Sequence, residues 1–587
     1  MAVFVLPSSL NLQQANPTET EQFAPVPPST HSQATSVGNL SSLSLGTSGT
    51  LSGDGAGGTG GGGGQTPTTS LLPGVPPIPN GAGLIPDQYP CVGEPPRQTA
   101  DPLSPPCVAY YNGNNGGATY PGATAGYVTI IAYIDAGLDT ATDDGVDNES
   151  SLDGECFDLR QPLPTNAKSP HLRNYGRWQR YFNYHFATYK RLVYFEYCFS
   201  SGATAQDREA DAAQEYRAYH PFAVMDDGAD LGDVAQYADY MADRGVLVFG
   251  SQGMQPRSFY EQYPARIWSY LPTVELQAEA FSNYVCEKVV GQPVVDSGDP
   301  AWQGKPRVLG FLSSSDPTFP ALIEYASLIK QETEACGAHY VVSGTFPHAD
   351  DTLQVENADA AATYAEENMA RFKAAGVTTI IWAGGYETNQ SGDASTLDYT
   401  PEWILAGDGF NEGTYDDTYQ NQAEWAHAWD VTNITYFGST TNQLCYQAIE
   451  QADPTIGDDA NWACQFDFEY EDLRELFTGI QVAGPDLTPA SIDQGFHAIP
   501  AVPSIDPRVP ACYYEVNDYT CVKDSIVEHW NPKLYAPIAP EDMAGCWQMV
   551  QNGKRYLDGD MWPSGNITAQ YSPSDMCNAF SISAPLY

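Results

Sequence analysis

From Tyr127 to about residue 500 the chain alternates short apolar runs with amphipathic stretches, and it does so in two rounds. The first round opens with "YVTIIAYID" (127–135) and the aromatic-bearing stretch "LRNYGRWQRYFNYHFATY" (172–189). It continues through "RLVYFEYCF", "AQDREADAAQEYRAY", "FAVMD", "LGDVAQYADYMADRG" and "VLVFG". The second opens with "RVLGFLSSSD" (307–316) and runs through "FPALIEYASLIKQETEACGA", "HYVVSGTF", "ATYAEENMARFKAAGV" and "TTIIWAGG" to "EWILAGDG" (402–409). Short apolar runs separated by helical periods are the mark of buried parallel strands, because each crossover must return the chain along a covering helix. Two α/β units follow, each a parallel sheet flanked by helices. Tyr175, Trp178, Phe182, Tyr184, Phe186 and Tyr189 fall at helical spacing and are expected to face a core, as is His185. Ligands of open α/β sheets sit beyond the carboxyl ends of the strands, so the residues that follow each apolar run are the candidates for a site.

The ends of the chain have a different texture. Residues 1–90 are dominated by Pro, Ser, Thr and Gly and include "GAGGTGGGGG". Such a stretch buries too little apolar surface to offset its ordering entropy, and it is expected to be a flexible tether. It is not a phosphate loop, since no GK[ST] follows the glycines. Residues 91–126 are expected as a Cys-bearing extended lead-in, and 506–587 as a disulfide-rich C-terminal tail. The formal charge of −48, from 73 acids against 25 bases, repels phosphate backbones, so nucleic acid is not expected as a partner. The twelve cysteines (Cys91, Cys107, Cys156, Cys198, Cys286, Cys336, Cys445, Cys464, Cys512, Cys521, Cys546 and Cys577) contain no CxxC pair. Their even number and wide spacing favour disulfides over zinc, and pairing between sequence neighbours closes the shortest loops. Disulfides imply an extracellular, cell-surface or periplasmic location, although the expected export signal is not present in this sequence. No run of ~18 apolar residues predicts a membrane span.

The succession "ARIWSYLPTVELQAEAFSNYVCEKVVGQPV", "GDPAWQGKPRVLGFLSSSDPTFPALI", "FKAAGVTTIIWAGG" and "LRELFTGIQVAGPDLTP" resembles the type I periplasmic binding proteins. More narrowly it resembles the branched-chain amino acid (leucine-binding-like) substrate-binding proteins of ABC transporters, in a long, actinobacterial-like form, over roughly residues 127–500. The resemblance implies two Rossmann-like lobes joined by crossover hinge segments, with lobe 1 at 127–270 plus 437–505 and lobe 2 at 271–436. It implies no catalysis and no cofactor. Its implied partners are a small polar solute held between the lobes and the membrane subunits of an ABC importer.

Carried onto this sequence, the layout implies ligand contacts on lobe 1 at Asp135, Asp226, Asp227, Gly228, Ser251 and Gln252. On lobe 2 they fall at Ser314, Ser315, Asp316, Gly385, Tyr386 and Asp408, with Trp268 and Tyr270 at the crossover. Ser251 suits a carboxylate ligand, whereas Asp226 and Asp227 would repel one. The two acids either cap a helix N-terminus or select an amine, a cation or a polyhydroxylated ligand. Trp268 and Tyr270 either stack on a ligand or pack the hinge. Asp143, Asp144 and Asp147 lie in an acidic stretch that resembles a calcium loop only loosely, lacking the D-x-[DN]-x-[DN]-G register, so a solvated loop is the simpler expectation. No GxSxG, HExxH or Walker pattern occurs. The expected function is solute binding; the alternative is a cell-surface interaction or structural protein that reuses the fold.

Overall fold

The strand β1 (Tyr127–Ile134) is buried at every position after its first, the pattern of a central parallel strand covered on both faces. The computed structural model describes residues 91–93, 96–134, 152–163, 170–202, 204–226, 235–250, 255–317, 319–347, 352–385, 387–407, 419–433, 444–455, 468–501, 504, 509–537, 542–557 and 562–568. After β1 come β2 (Cys156–Asp158), α1 (Pro170–His185), β3 (Leu192–Phe199), α2 (Ala205–Tyr219), β4 (Ala223–Asp226), α3 (Ala235–Asp243), β5 (Leu247–Phe249) and α4 (Arg257–Gln262). The sheet order is β2-β3-β1-β4-β5, parallel throughout except for β2, which lies antiparallel on β3.

The second round gives α5 (Val274–Lys288), β6 (Leu309–Ser314), α6 (Pro320–Ala335), β7 (Tyr340–Phe346), α7 (Thr352–Ala375), β8 (Thr379–Ala383), α8 (Asn389–Thr396), β9 (Glu402–Ala406), α9 (Gln422–Trp425) and β10 (Ala428–Thr432). Its parallel strands are ordered β7-β6-β8-β9-β10. Both sheets therefore have the same winding: the second parallel strand lies on one side of the first, and the third and fourth lie on the other. That doubly wound order creates a switch point between the first and third strands of each sheet.

The chain then returns to the first sheet through α10 (Leu444–Ala452), α11 (Phe468–Ala483) and α12 (Pro489–Phe496). Cys445, Ile449, Leu473, Phe477, Ile492 and Phe496 share a core with β1 and β3. Tyr175, Trp178, Phe182 and Phe186 of α1 are fully buried in the same core. Phe182 stacks on Phe477 at 5.0 Å, and truncating such a buried ring costs about 3–5 kcal/mol. The start of α2 is fixed by its sequence: Thr204 accepts from Asp207 N while the Asp207 side chain accepts from Thr204 N, a reciprocal capping box.

The lead-in packs on lobe 1. Asp101 is buried and accepts from Arg474 Nη1 at 3.1 Å and Tyr470 Oη at 3.2 Å, while Gln98 and Gln481 meet at 3.4 Å. Residues beyond 505, expected as a separate tail, enter both lobes instead. Tyr514, Tyr519, Cys521 and Val522 join the first core. After them, β11 (Asp524–Trp530), β12 (Tyr535–Pro537), β13 (Asp542–Ala544), β14 (Trp547–Met549) and β15 (Tyr556–Leu557) follow in order. β11 pairs antiparallel with β10, and β14 and β15 pair with β11. The unpaired side of β10 would otherwise expose a row of backbone donors and acceptors, and β11 covers it. The second lobe thus continues from α5–β10 into β11–β15.

Disulfides join Cys91 to Cys107, Cys156 to Cys198, Cys286 to Cys336 and Cys512 to Cys521. Cys445 and Cys546 are also disulfide-bonded, whereas Cys464 and Cys577 lie outside the described residues. No helix among the described residues is long and apolar enough to cross a membrane.

Candidate functional site

At the carboxyl edge of the first sheet, β1 and β4 flank the switch point and end at Ile134 and Asp226. Asp226 is completely buried. Beside it lies a layer of tyrosines and acids supplied by β1, α2 and α3. The Tyr133 ring stacks on Tyr237 at 3.9 Å and 11°, and its hydroxyl donates to Asp211 Oδ2 at 2.9 Å. Asp211 Oδ2 also accepts from Ser201 N at 2.8 Å, and the Tyr237 hydroxyl donates to Glu215. Burial pushes the Glu215 carboxyl up to about 8, and the charges of Asp211 and Asp226 push in the same direction. Burial also raises both phenols, with Asp226 among the charges that add to the effect. Gly250, after β5, has φ +136°, and a Cβ there would come within 2.5 Å of the Asp226 carbonyl oxygen. Glycine is required at that corner because the two backbones touch.

On the second sheet the corresponding edge is formed by the ends of β6 and β8. Ser314 Oγ accepts from Asp316 N at 3.1 Å, and Ser315 donates twice to Phe346 O, from N at 2.8 Å and from Oγ at 3.0 Å. Ser314 and Asp316 are buried and Ser315 is exposed. The N-cap position of α6 is Phe319, whose N donates to Asp316 O at 3.2 Å. Gly384 and Gly385 have φ of +81° and +82°. A Cβ on Gly385 would meet the Phe346 ring at 3.0 Å and Ser314 Cβ at 3.1 Å, so a bare backbone is needed for β8 to pack against β6.

Trp268 and Tyr270 are enclosed by protein. Trp268 is fully enclosed, with Phe496 at 4.7 Å, Tyr519 at 5.1 Å and Tyr514 at 5.2 Å. Tyr270 is buried with the Arg474 guanidinium 5.3 Å from its ring. Both rings have their faces taken up by protein, which leaves none for stacking on a solute. Asp135, Asp227, Gly228, Ser251, Gln252, Tyr386 and Asp408 lie outside the described residues, as do Asp143, Asp144 and Asp147. The one three-residue grouping with metal-like spacing among the described residues is Cys156, Cys198 and Glu215. Its two sulfurs are already joined in a disulfide.

The layer formed by Tyr133, Asp211, Glu215 and Tyr237 was not singled out from the sequence. Its signal was present in α2, where Arg208, Asp211, Ala212 and Glu215 are the buried residues and fall at helical spacing on one face. Chemically the layer is rich in oxygen atoms, and burial holds Glu215 in its neutral form below about pH 8. Its members are buried and bonded to one another, so the layer fixes the carboxyl end of β1 and β4 from within the protein.

No protein-family model matches the chain, and no curated protein matches it. Solved structures are similar to it at low identity. An ABC transporter substrate-binding protein from Desulfitobacterium hafniense is 11% identical, with a TM-score of 0.45 over 72% of this chain and 99% of that one. A solute-binding protein of an ABC transporter from R. palustris, in complex with 4-hydroxybenzoate, is 10% identical, with a TM-score of 0.47 over 74% and 98%. A putative branched-chain amino acid ABC transporter protein from Rhodospirillum rubrum is 10% identical, with a TM-score of 0.43 over 71% and 99%.

Proposed function

We propose that the chain is an exported solute-binding protein that captures a small polar solute between its two α/β lobes and delivers it to an ABC importer. The observation that carries this function is the repeated winding of the two sheets. Each presents a switch point at its carboxyl edge, and the chain passes between the lobes at 271–273, after Asn433, and at 522–524. Two sheets with the same winding and a hinge form a clamp that closes when a ligand touches both sides. Covalent chemistry is not required.

Asp226, at the end of β4 on the rim of the first switch point, supports a solute with an amine, amide or other donor group on the lobe 1 side. Ser315, exposed just past the end of β6, then supplies a neutral polar group on the lobe 2 side. Polyamines, amino-acid-like amines and amides fit this description better than simple carboxylic acids. A thermal-shift panel of amino acids, polyamines, sugars and urea tests the function directly, since a solute at 100 times its Kd stabilises the folded state by about 2.7 kcal/mol. Amines should raise the melting temperature and Asp226→Asn should weaken that response. If no solute in the panel moves the melting temperature, solute capture is refuted.

A further inference from the structure

The first and third crossings between the lobes lie side by side. Ser269 N donates to Tyr519 O at 3.0 Å, Cys521 N to Ser269 O at 2.9 Å and Val522 N to Tyr270 O at 3.0 Å. A further leg joins this ribbon, because Tyr513 N donates to Cys521 O at 3.0 Å and Lys523 N to Ala511 O at 2.9 Å. The Cys512–Cys521 disulfide bonds the two legs. Lys523 Nζ donates to Thr520 O at 2.7 Å and pairs with Asp518 at 2.9 Å. Trp268 and its aromatic neighbours pack over the same segment.

A second clamp grips the lobe 2 side. Arg555, between β14 and β15, donates from Nε to Asp524 Oδ1 at 2.7 Å and from Nη2 to Asn433 O at 3.0 Å. Asn433 Nδ2 in turn donates to Asp524 O at 3.1 Å. Asn433 follows β10 where the second crossing begins, and Asp524 is where the third crossing enters β11. Arg555 and Asp524 are each only 3% exposed at the side chain, so this pair is anchored within lobe 2.

We propose that the C-terminal region is a hinge lock, in which the Cys512–Cys521 ribbon on one side and Arg555 on the other make the crossings turn together and restrict how far the lobes open. Among the described residues, the segments left to absorb a rotation are Leu271–Thr273 and the short step from Val522 to Asp524, and Pro272 fixes one of their torsions. A cross-link and a backbone ladder remove independent motion from the segments they join, while a hinge needs only a few residues to absorb a rotation. The lock is a property of the ligand-free chain, so it stands or falls separately from solute capture.

Hydrogen exchange on the full-length protein tests it, comparing wild type, the double variant Cys512→Ser with Cys521→Ser, and Arg555→Gln. In the cysteine variant, peptides covering 268–274 and 511–524 should exchange about ten-fold faster, while β1 and β8 change by less than about two-fold. In Arg555→Gln the gain should appear at 431–433 and at the start of β11. Small-angle scattering of both variants should give a larger radius of gyration than wild type. The lock is overturned if the hinge peptides exchange as in wild type, if exchange rises equally in β1 and β8, or if the scattering is unchanged. Should Arg555→Gln fail to fold because Asp524 is left buried and charged, Arg555→Gln with Asp524→Asn removes the clamp without the orphan charge and is read in the same way.

Discussion

Replacing Asp296 with Asn should destabilise lobe 2 in a pH-dependent way, because this carboxylate joins three distant parts of the chain. Asp296 lies in the connection from α5 to β6. It accepts from Trp429 Nε1 in β10 at 2.9 Å and from His529 Nε2 in β11 at 2.8 Å, and its other oxygen faces His427 Nδ1 at 3.5 Å. Its backbone is held from behind, where Val295 N and Asp296 N both donate to Glu402 Oε1 at 2.8 Å. Arg307 completes that support through its ion pair with Glu402 at 2.7 Å. Burial pushes the Asp296 carboxyl up, but the hydrogen bonds and charges of His427 and His529 outweigh it and hold the group at about 2, against an ordinary 3.8. A shift of that size corresponds to roughly 2 kcal/mol. The side chain is 26% exposed, so most of this value should survive solvent screening.

The sign follows from both partners. Asp296 is depressed in the folded state, so its contribution is present above 3.8 and lost as pH falls toward 2. The His427 imidazole is raised above 6.5 by Asp296 and Glu424 against the opposing effect of burial. Its contribution is complete below 6.5 and fades as pH rises through the folded value. The cost of Asp296→Asn should therefore peak at about 2 kcal/mol near pH 5.5 and shrink toward about pH 9. Urea unfolding of wild type and variant at both pH values, with the m-values compared, gives the difference directly. For a lobe-sized cooperative unit the same loss is roughly 4–8 °C in Tm. A difference that stays constant from pH 5.5 to 9, or grows with pH, would refute the ion cluster as its source.

Glu424 gives the opposite kind of test. It is fully buried beside Tyr399 and Trp403, and burial raises it to about 8. A folded value above the ordinary 4.5 means its contribution is present below 4.5 and lost as pH rises through about 8. Glu424→Gln has no proton to lose, so its Tm should gain on wild type between about pH 5 and pH 9, and parallel profiles would count against this account. Gly385→Ala should cost about 1–3 kcal/mol in unfolding free energy, from a left-handed backbone and a Cβ pressed on Phe346 and Ser314. An alanine variant as stable as wild type would show that β8 and β6 separate easily at that edge.

Much of the fold was legible in the residues. "YVTIIAYI" and "TTIIWA" are continuous apolar runs, and each became a buried interior strand. The stretch "AQDREADAAQEYRAY" became α2 without a shift at either end, because Thr204 and Asp207 make a local cap and His220 closes the helix in a left-handed conformation. The strand β11 was not legible. "DSIVEHW" alternates polar and apolar residues in a Pro- and Tyr-rich region, yet every position of it is buried, because β10 and β14 lie on either side of it. The bonding of Asp211 and Glu215 of α2 to Tyr133 and Tyr237 depended on a strand and a helix distant in sequence.

By itself the sequence determined the strands and helices of the two α/β rounds, since periodicity and capping act over a few residues. Only the tertiary structure decided that Trp268 packs against Phe496, Tyr514 and Tyr519, that Asp226 joins a buried acid layer, and that the C-terminal strands complete the second sheet. Those outcomes depend on which distant surface covers a side chain. Burial then sets what an aromatic ring can touch and which protonation state an acid adopts.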